Sequence, residues 1–194
     1  MPPTITLYHG AHRWEMPPRI LPVKAKRGAT NAEHGPGIYL TNSVETARSF
    51  AKGGGSLMRV ELERPRAWLE DTRLAVQDVE RFLRETPRMP KRAEVLADVR
   101  NHAARMASRM GGAHVHADVL VNLMTNHGAT LGALGPALAA FLVSHQIDAS
   151  LLRPPWPKDE EDWVVVFNPD LILHVTQLTG KDLRDAQSMP RVRR

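Results

Sequence analysis

Polar and apolar positions alternate along Thr4-Ile5-Thr6-Leu7-Tyr8, the two-residue period of a half-buried strand. Residues 15–36 follow no period. Pro17-Pro18, Pro22, Gly28 and Gly35-Pro36 predict an irregular segment there. Ile38-Tyr39-Leu40-Thr41 predicts a second short strand. Ser43 then takes the N-cap position of a helix whose apolar face carries Val44, Ala47, Phe50 and Ala51, and Gly53-Gly54-Gly55-Ser56 ends it. Leu57 to Leu62 alternates again and predicts a third strand.

From Asp71 to about Ser150 the period lengthens. Ala75, Val79, Phe82 and Leu83 mark a short helix. Leu96, Val99, Ala103, Met106 and Met110 form one stripe of a longer one. Leu120, Leu123 and Met124 suggest a third. Leu131, Leu134, Leu138, Leu142 and His145 continue the spacing. Pro87, Pro90 and Gly111-Gly112 separate these helices. Trp163 to Phe167 is apolar throughout, as a strand buried on both faces would be. Asn168-Pro169-Asp170 turns the chain, Leu171 to Leu178 alternates as a last strand, and a short polar helix or tail begins at Gly180. The chain is therefore expected to be one α+β domain over 1–194. It carries a helical insertion at about 71–146 and a basic tail at about 185–194.

Composition narrows the chemistry. Aromatics are 5% of the chain, so the core has to be mostly aliphatic. With no cysteine there is no disulfide, thiol nucleophile or thiolate metal site, which fits a reducing compartment. No apolar run approaches membrane-spanning length, and the start lacks a secretion pattern, so a cytoplasmic protein without membrane partners is expected. The formal charge of +5 favours polyanions, although several of those charges sit in Arg191-Val192-Arg193-Arg194, where a disordered tail would need no partner.

Three separated pieces carry a family likeness. They are Tyr8-His9-Gly10 at the end of the first strand, Gly37-Ile38-Tyr39 opening the second, and Glu160-Glu161-Asp162-Trp163-Val164-Val165-Val166-Phe167-Asn168-Pro169. In this order the chain resembles the histidine–tyrosine–glutamate branch of the ADP-ribosyltransferases, enzymes that cleave NAD and move its ADP-ribose. The likeness covers about residues 5–71 and 142–178. It implies a split, mostly antiparallel β-sandwich with NAD in a cleft between its halves. His9 would bond the ribose next to the adenine, and the backbone of Gly10 would hold the nicotinamide amide. Tyr39 and Phe50, eleven positions later, would sandwich the nicotinamide ring. Ala47 falls where the polymerases carry a serine to the amide, so that contact should be missing or replaced.

The acid departs from the family pattern. It should open the last core strand six residues before the turn proline, and that count reaches Trp163. Asp162 would come into place through a one-residue β-bulge. Glu161 shares the parity of Trp163, Val165 and Phe167 and faces their side without one. The longer reach of Glu161 favours it slightly, and Glu160 stays open as a further alternative.

Other signals carry little. His114 and His116 could ligate a metal but no third ligand is identifiable, so no metal is expected. The glycine run lacks the Lys-Ser/Thr that closes a phosphate loop. Neither Gly-x-Gly-x-x-Gly after a strand nor Gly-x-Ser-x-Gly occurs. The leading expectation is a mono-ADP-ribosyltransferase of the toxin, effector or phage kind. Its substrate would be NAD and its acceptor a protein or nucleic acid, with the helical insertion available to an acceptor, a cognate inhibitor or a second copy. The alternatives are a catalytically inactive NAD-, ADP-ribose- or partner-binding module of the same fold, and a basic helical nucleic-acid binder.

Overall fold

The computed structural model describes residues 4–11, 14–22, 34–51, 54–110, 113–153 and 161–193, with the backbone alone at 108–110. Gly28, Gly53, Gly111, Gly112 and Glu160, and the side chain of Met110, lie outside that description. Seven strands form one sheet in the order β4-β7-β8-β2-β1-β3-β9. These strands are β1 (Thr4–Ala11), β2 (Ile38–Thr41), β3 (Ser56–Glu63), β4 (Ala67–Trp68), β7 (Ile147–Leu152), β8 (Trp163–Val166) and β9 (Ile172–Gln177). Every pairing is antiparallel except β4 with β7. A separate pair, β5 (Arg73–Ala75) and β6 (His114–His116), lies within the helical block. The chain is thus α+β, built on a large and mostly antiparallel sheet.

The middle of this sheet is thinly joined. β1 pairs with β3 along its whole length, from Thr4–Glu63 to Ala11–Ser56, and β2 pairs with β8 through four residues. Between β1 and β2 the register holds one pair, Tyr8–Thr41. Beyond it the two strands part.

Helix α1 (Val44–Phe50) begins where its cap was expected, with Ser43 Oγ accepting from Thr46 N–H at 3.2 Å. The block between β4 and β7 holds α2 (Val76–Glu85), α3 (Arg92–Met110), α4 (Ala117–Asn126) and α5 (Leu134–Ser144), and α6 (Gly180–Asp185) follows β9. On α3 the buried stripe runs through Val95, Val99 and Ala103, with Leu96 only half-buried. The stripe therefore keeps Val99 and Ala103 of the expected spacing and takes Val95 in place of Leu96. Among the described residues no helix is long and apolar enough to cross a membrane.

Two large cores and a small one hold the sheet. In one, the helical block supplies Val79, Leu83, Val99, Leu120, Met124 and Leu138, which meet Ile147, Val165 and Phe167 of the sheet. The other takes its buried members almost wholly from strands. Leu7, Val60 and Leu62 come from one side of the thin junction, and Ile38, Leu40, Ala149, Leu151, Val164 and Val166 from the other, with Val192 added. β8 divides itself between the two, with Val165 on the first core and Val164 and Val166 on the second, as its unbroken apolar run predicts.

Residues 186–193 are not a free tail. Val192 is 4% exposed and belongs to the strand core, while Ala186 and Met189 pack beside Tyr8. The positive charges at this end therefore flank a docked segment.

Because the first core mixes helix and sheet residues, damage to either should be felt by both. Leu138→Ala, at a fully buried site on α5, is expected to cost about 2–5 kcal/mol. Urea unfolding followed by tryptophan fluorescence and by circular dichroism should give coincident single transitions. Two separated transitions would show that the helical block folds apart from the sheet.

Candidate functional site

The parting of β1 and β2 brings the first two pieces of the likeness together. His9 follows the last paired residue, and its Nδ1 lies 2.7 Å from the carbonyl oxygen of Tyr39 across the gap. A carbonyl oxygen can only accept, so Nδ1 carries the proton. Burial pushes the His9 imidazole below its ordinary value, with the bond to Tyr39 pulling back the other way. The resting ring is therefore neutral, and its Nε2 is an acceptor. Trp14 meets the imidazole edge-on at 4.9 Å.

Strand alternation decides which side chains share a face. Tyr8 and Thr41 are paired and point the same way, so Gly10 and Tyr39 share their face. Tyr39 pairs with Val165 and Thr41 with Trp163, which puts Trp163 there as well. His9 alternates with Tyr8 and follows Leu7, toward the strand core. The imidazole and the phenol thus leave the sheet on opposite faces, and His9 reaches Tyr39 through the Tyr39 carbonyl. The half-buried phenol packs against the helical core, donates to Gly35 O at 2.8 Å and accepts from His34 N–H at 3.2 Å.

Gly10 lies against α1 with no room for a side chain. A Cβ there would stand 1.7 Å from the carbonyl oxygen of Ala47. Ala47 itself is buried in a small core with Tyr8, Val44 and Leu57. Phe50, at the other end of α1, is 56% exposed, and its aromatic partner is Trp163, at 5.6 Å and nearly perpendicular. Trp163 thus stands beside the ring that was expected to pair with Tyr39.

The two acids part company. The β2–β8 register runs from Ile38–Val166 to Thr41–Trp163 without a shift, and Asn42 N–H continues it by donating to Asp162 O at 3.2 Å. The bulge that would turn Asp162 into the cleft is absent. Its carboxylate, 0% exposed, accepts from Val192 N–H at 2.7 Å and from Arg153 Nε at 3.2 Å. Glu161, 8% exposed, lies on the face of Trp163, whose indole Nε1–H donates to its Oε1 at 2.7 Å. Glu161 Oε2 is the second acceptor of that carboxylate.

Gly10, Tyr39, Glu161 and Trp163 therefore share one face of the sheet, with Phe50 against Trp163, and His9 leaves on the other. Trp163 is the member that sequence reasoning left without a role. Its signal was present, since the count from Pro169 reaches it and its parity matches that of Glu161. His114 and His116 sit on β6, away from this site, and among the described residues no three metal-ligating side chains converge. No family model, curated protein or solved structure matches the chain.

The lowered His9 value fixes a sign. The unfolded chain takes up the proton more readily, so this contribution to stability is present above the ordinary 6.5 and is lost as the pH falls through the folded value. His102, lowered by burial and by Arg105, acts in the same sense. His9→Asn should therefore flatten the acid side of the stability profile only in part. NMR titration of wild type should place the His9 imidazole below 6.5, and a value above it would refute the buried neutral ring.

Proposed function

We propose that this chain is a mono-ADP-ribosyltransferase: it cleaves NAD between nicotinamide and ribose and passes ADP-ribose to a protein or nucleic-acid acceptor. The observation that carries the reading is the one-pair junction at Tyr8–Thr41, bridged by His9, with Gly10, Tyr39 and Glu161 brought to one face of the sheet beside it. The thin junction and the core drawn mainly from strands also support a split β-sandwich, because residues of both halves of the sheet are buried in that one core.

The residues suit the steps. The neutral His9 can accept a ribose hydroxyl at Nε2 while Tyr39 O holds its other nitrogen in place. The missing side chain of Gly10 lets α1 pack directly on β1, which leaves the Gly10 backbone groups as its means of holding the nicotinamide amide. Phe50 and Trp163 offer ring surface to the leaving nicotinamide. As the bond from ribose C1′ to nicotinamide breaks, its electron pair leaves with the ring and positive charge builds on the ribose. Glu161 can accept the 2′-hydroxyl at Oε2 and offset that charge, stabilising the transition state more than bound NAD. The acceptor's nucleophile then bonds to C1′ and gives up its proton. The net charge of +5 leans toward a polyanionic acceptor.

One observation favours a second reading, a binding module without catalysis. Trp163 holds the strand-opening position where the family has its acid, and one oxygen of Glu161 is engaged by the indole.

Release of free nicotinamide from NAD separates the two. Wild type should release it slowly without any acceptor. Glu161→Gln should be about a hundredfold slower, the roughly 3 kcal/mol that such a charge-stabilising group supplies. Saturable NAD binding with no release by wild type would leave the binding module standing, and equal release by the variant would remove Glu161 from the mechanism.

A further inference from the structure

The segments that carry the candidate site are each tied to the same stretch of chain. Tyr8, next to His9, donates its hydroxyl to Gln187 O at 2.7 Å. Asn42, in the turn between β2 and α1, donates from Nδ2 to Met189 O at 3.1 Å, and its own carbonyl accepts from Met189 N–H at 2.8 Å. Val44, which opens α1, donates its N–H to Ser188 Oγ at 3.2 Å. Asp162, between Glu161 and Trp163, accepts from Val192 N–H at 2.7 Å, and Arg153 joins the same knot by donating to Asp162 Oδ1 and to Val192 O. Asn42 closes the set, since its Oδ1 accepts from Asp162 N–H at 2.7 Å.

These bonds make one linked unit. Asp162 is a fully buried carboxylate, and a buried charge that loses a partner is strongly destabilised. Removing Val192 takes away one of its donors and the carbonyl that steadies Arg153. The same departure empties a place in the strand core. The carboxylate must then move or take up water, and Glu161 and Trp163 are its chain neighbours on either side.

We infer that residues 187–192 are a positioning strap for the candidate site. Docked, the strap fixes Glu161 and Trp163 through Asp162 and fixes the β2–α1 turn through Asn42. Asp162 and Asn42 are positioning residues, and whatever draws the strap away loosens the site. For catalysis this rests on the NAD reading above; the coupling between strap and site does not.

The test uses the full chain with Asp162→Asn, which replaces a pure acceptor by an amide. Hydrogen exchange should quicken about tenfold or more in 187–192, and also in 39–42 and 161–163, while the Leu120–Leu138 core stays protected. In the nicotinamide assay kcat should fall about tenfold with KM for NAD within about twofold, the pattern of a misplaced group rather than a lost ligand contact. Arg153→Met, at a half-exposed side chain, should give the same pattern more weakly and serves if the first variant does not fold. Faster exchange in the strap with wild-type exchange at 39–42 and 161–163 overturns the inference, as does unchanged exchange in the strap itself. If wild type releases no nicotinamide, the NAD reading fails and exchange alone decides the coupling.

Discussion

A seven-stranded sheet joined across its middle by one residue pair cannot rely on its ladder there. Everything around the candidate site follows from that shortage. Past Tyr8 and Thr41, backbone groups that a longer pairing would satisfy face a gap, and buried polar groups have to find partners. The His9 imidazole supplies one at Tyr39 O. Side-chain burial supplies the rest of the cohesion, through a core built from strands on both sides of the junction. A place that is weak in main-chain bonds is thus held by side chains drawn from both halves.

Cohesion on the other half comes from a polar corner. Asp148 is wholly buried on β7, where its side chain takes bonds from the Arg66 backbone and guanidinium and from Asn168 Nδ2. Burial pushes this carboxyl up, but those donors outweigh it and hold it below its ordinary value. The Asp148 carbonyl also accepts from Phe167 and Asn168 N–H. The turn that ends β8 is thereby fixed to the strand beside it, and the helical block sits on Phe167 at the same corner.

Local signals in the sequence were reliable where local physics decides. The Ser43 cap, the short β2 strand, and the double-sided burial of Val164 to Phe167 follow from capping and period alone, while Trp163 at the start of that run is only half-buried. β7 was hidden because Asp148 and Ser150 interrupt its apolar pattern. Both are buried only through distant partners, Arg66 and Asn168 for one and Glu70 for the other. The strap was hidden in the same way. Val192 looks like one apolar residue among arginines until Asp162, thirty positions earlier, takes its N–H. At the site, parity gave the face of Glu161 correctly relative to Trp163, but parity cannot reveal that the indole bonds the carboxylate.

Two glycines at the C-terminal end of β1, Gly10 within it and Gly55 just before β3, set how closely the chain packs there. Gly10 leaves the Ala47 carbonyl no space, and a Cβ on Gly55 would stand 2.6 Å from Ala11 O and 2.8 Å from Ala51 O. Backbone thus rests directly on backbone where β1, α1 and the start of β3 meet, with no side chain to act as a cushion. These three elements form one close-packed plate. The β2–β8 half meets it through the single pair Tyr8–Thr41 and through the core that both halves share. Phe50 belongs to the plate and Trp163 to the other half, so the contact between their rings spans the thin junction from side to side.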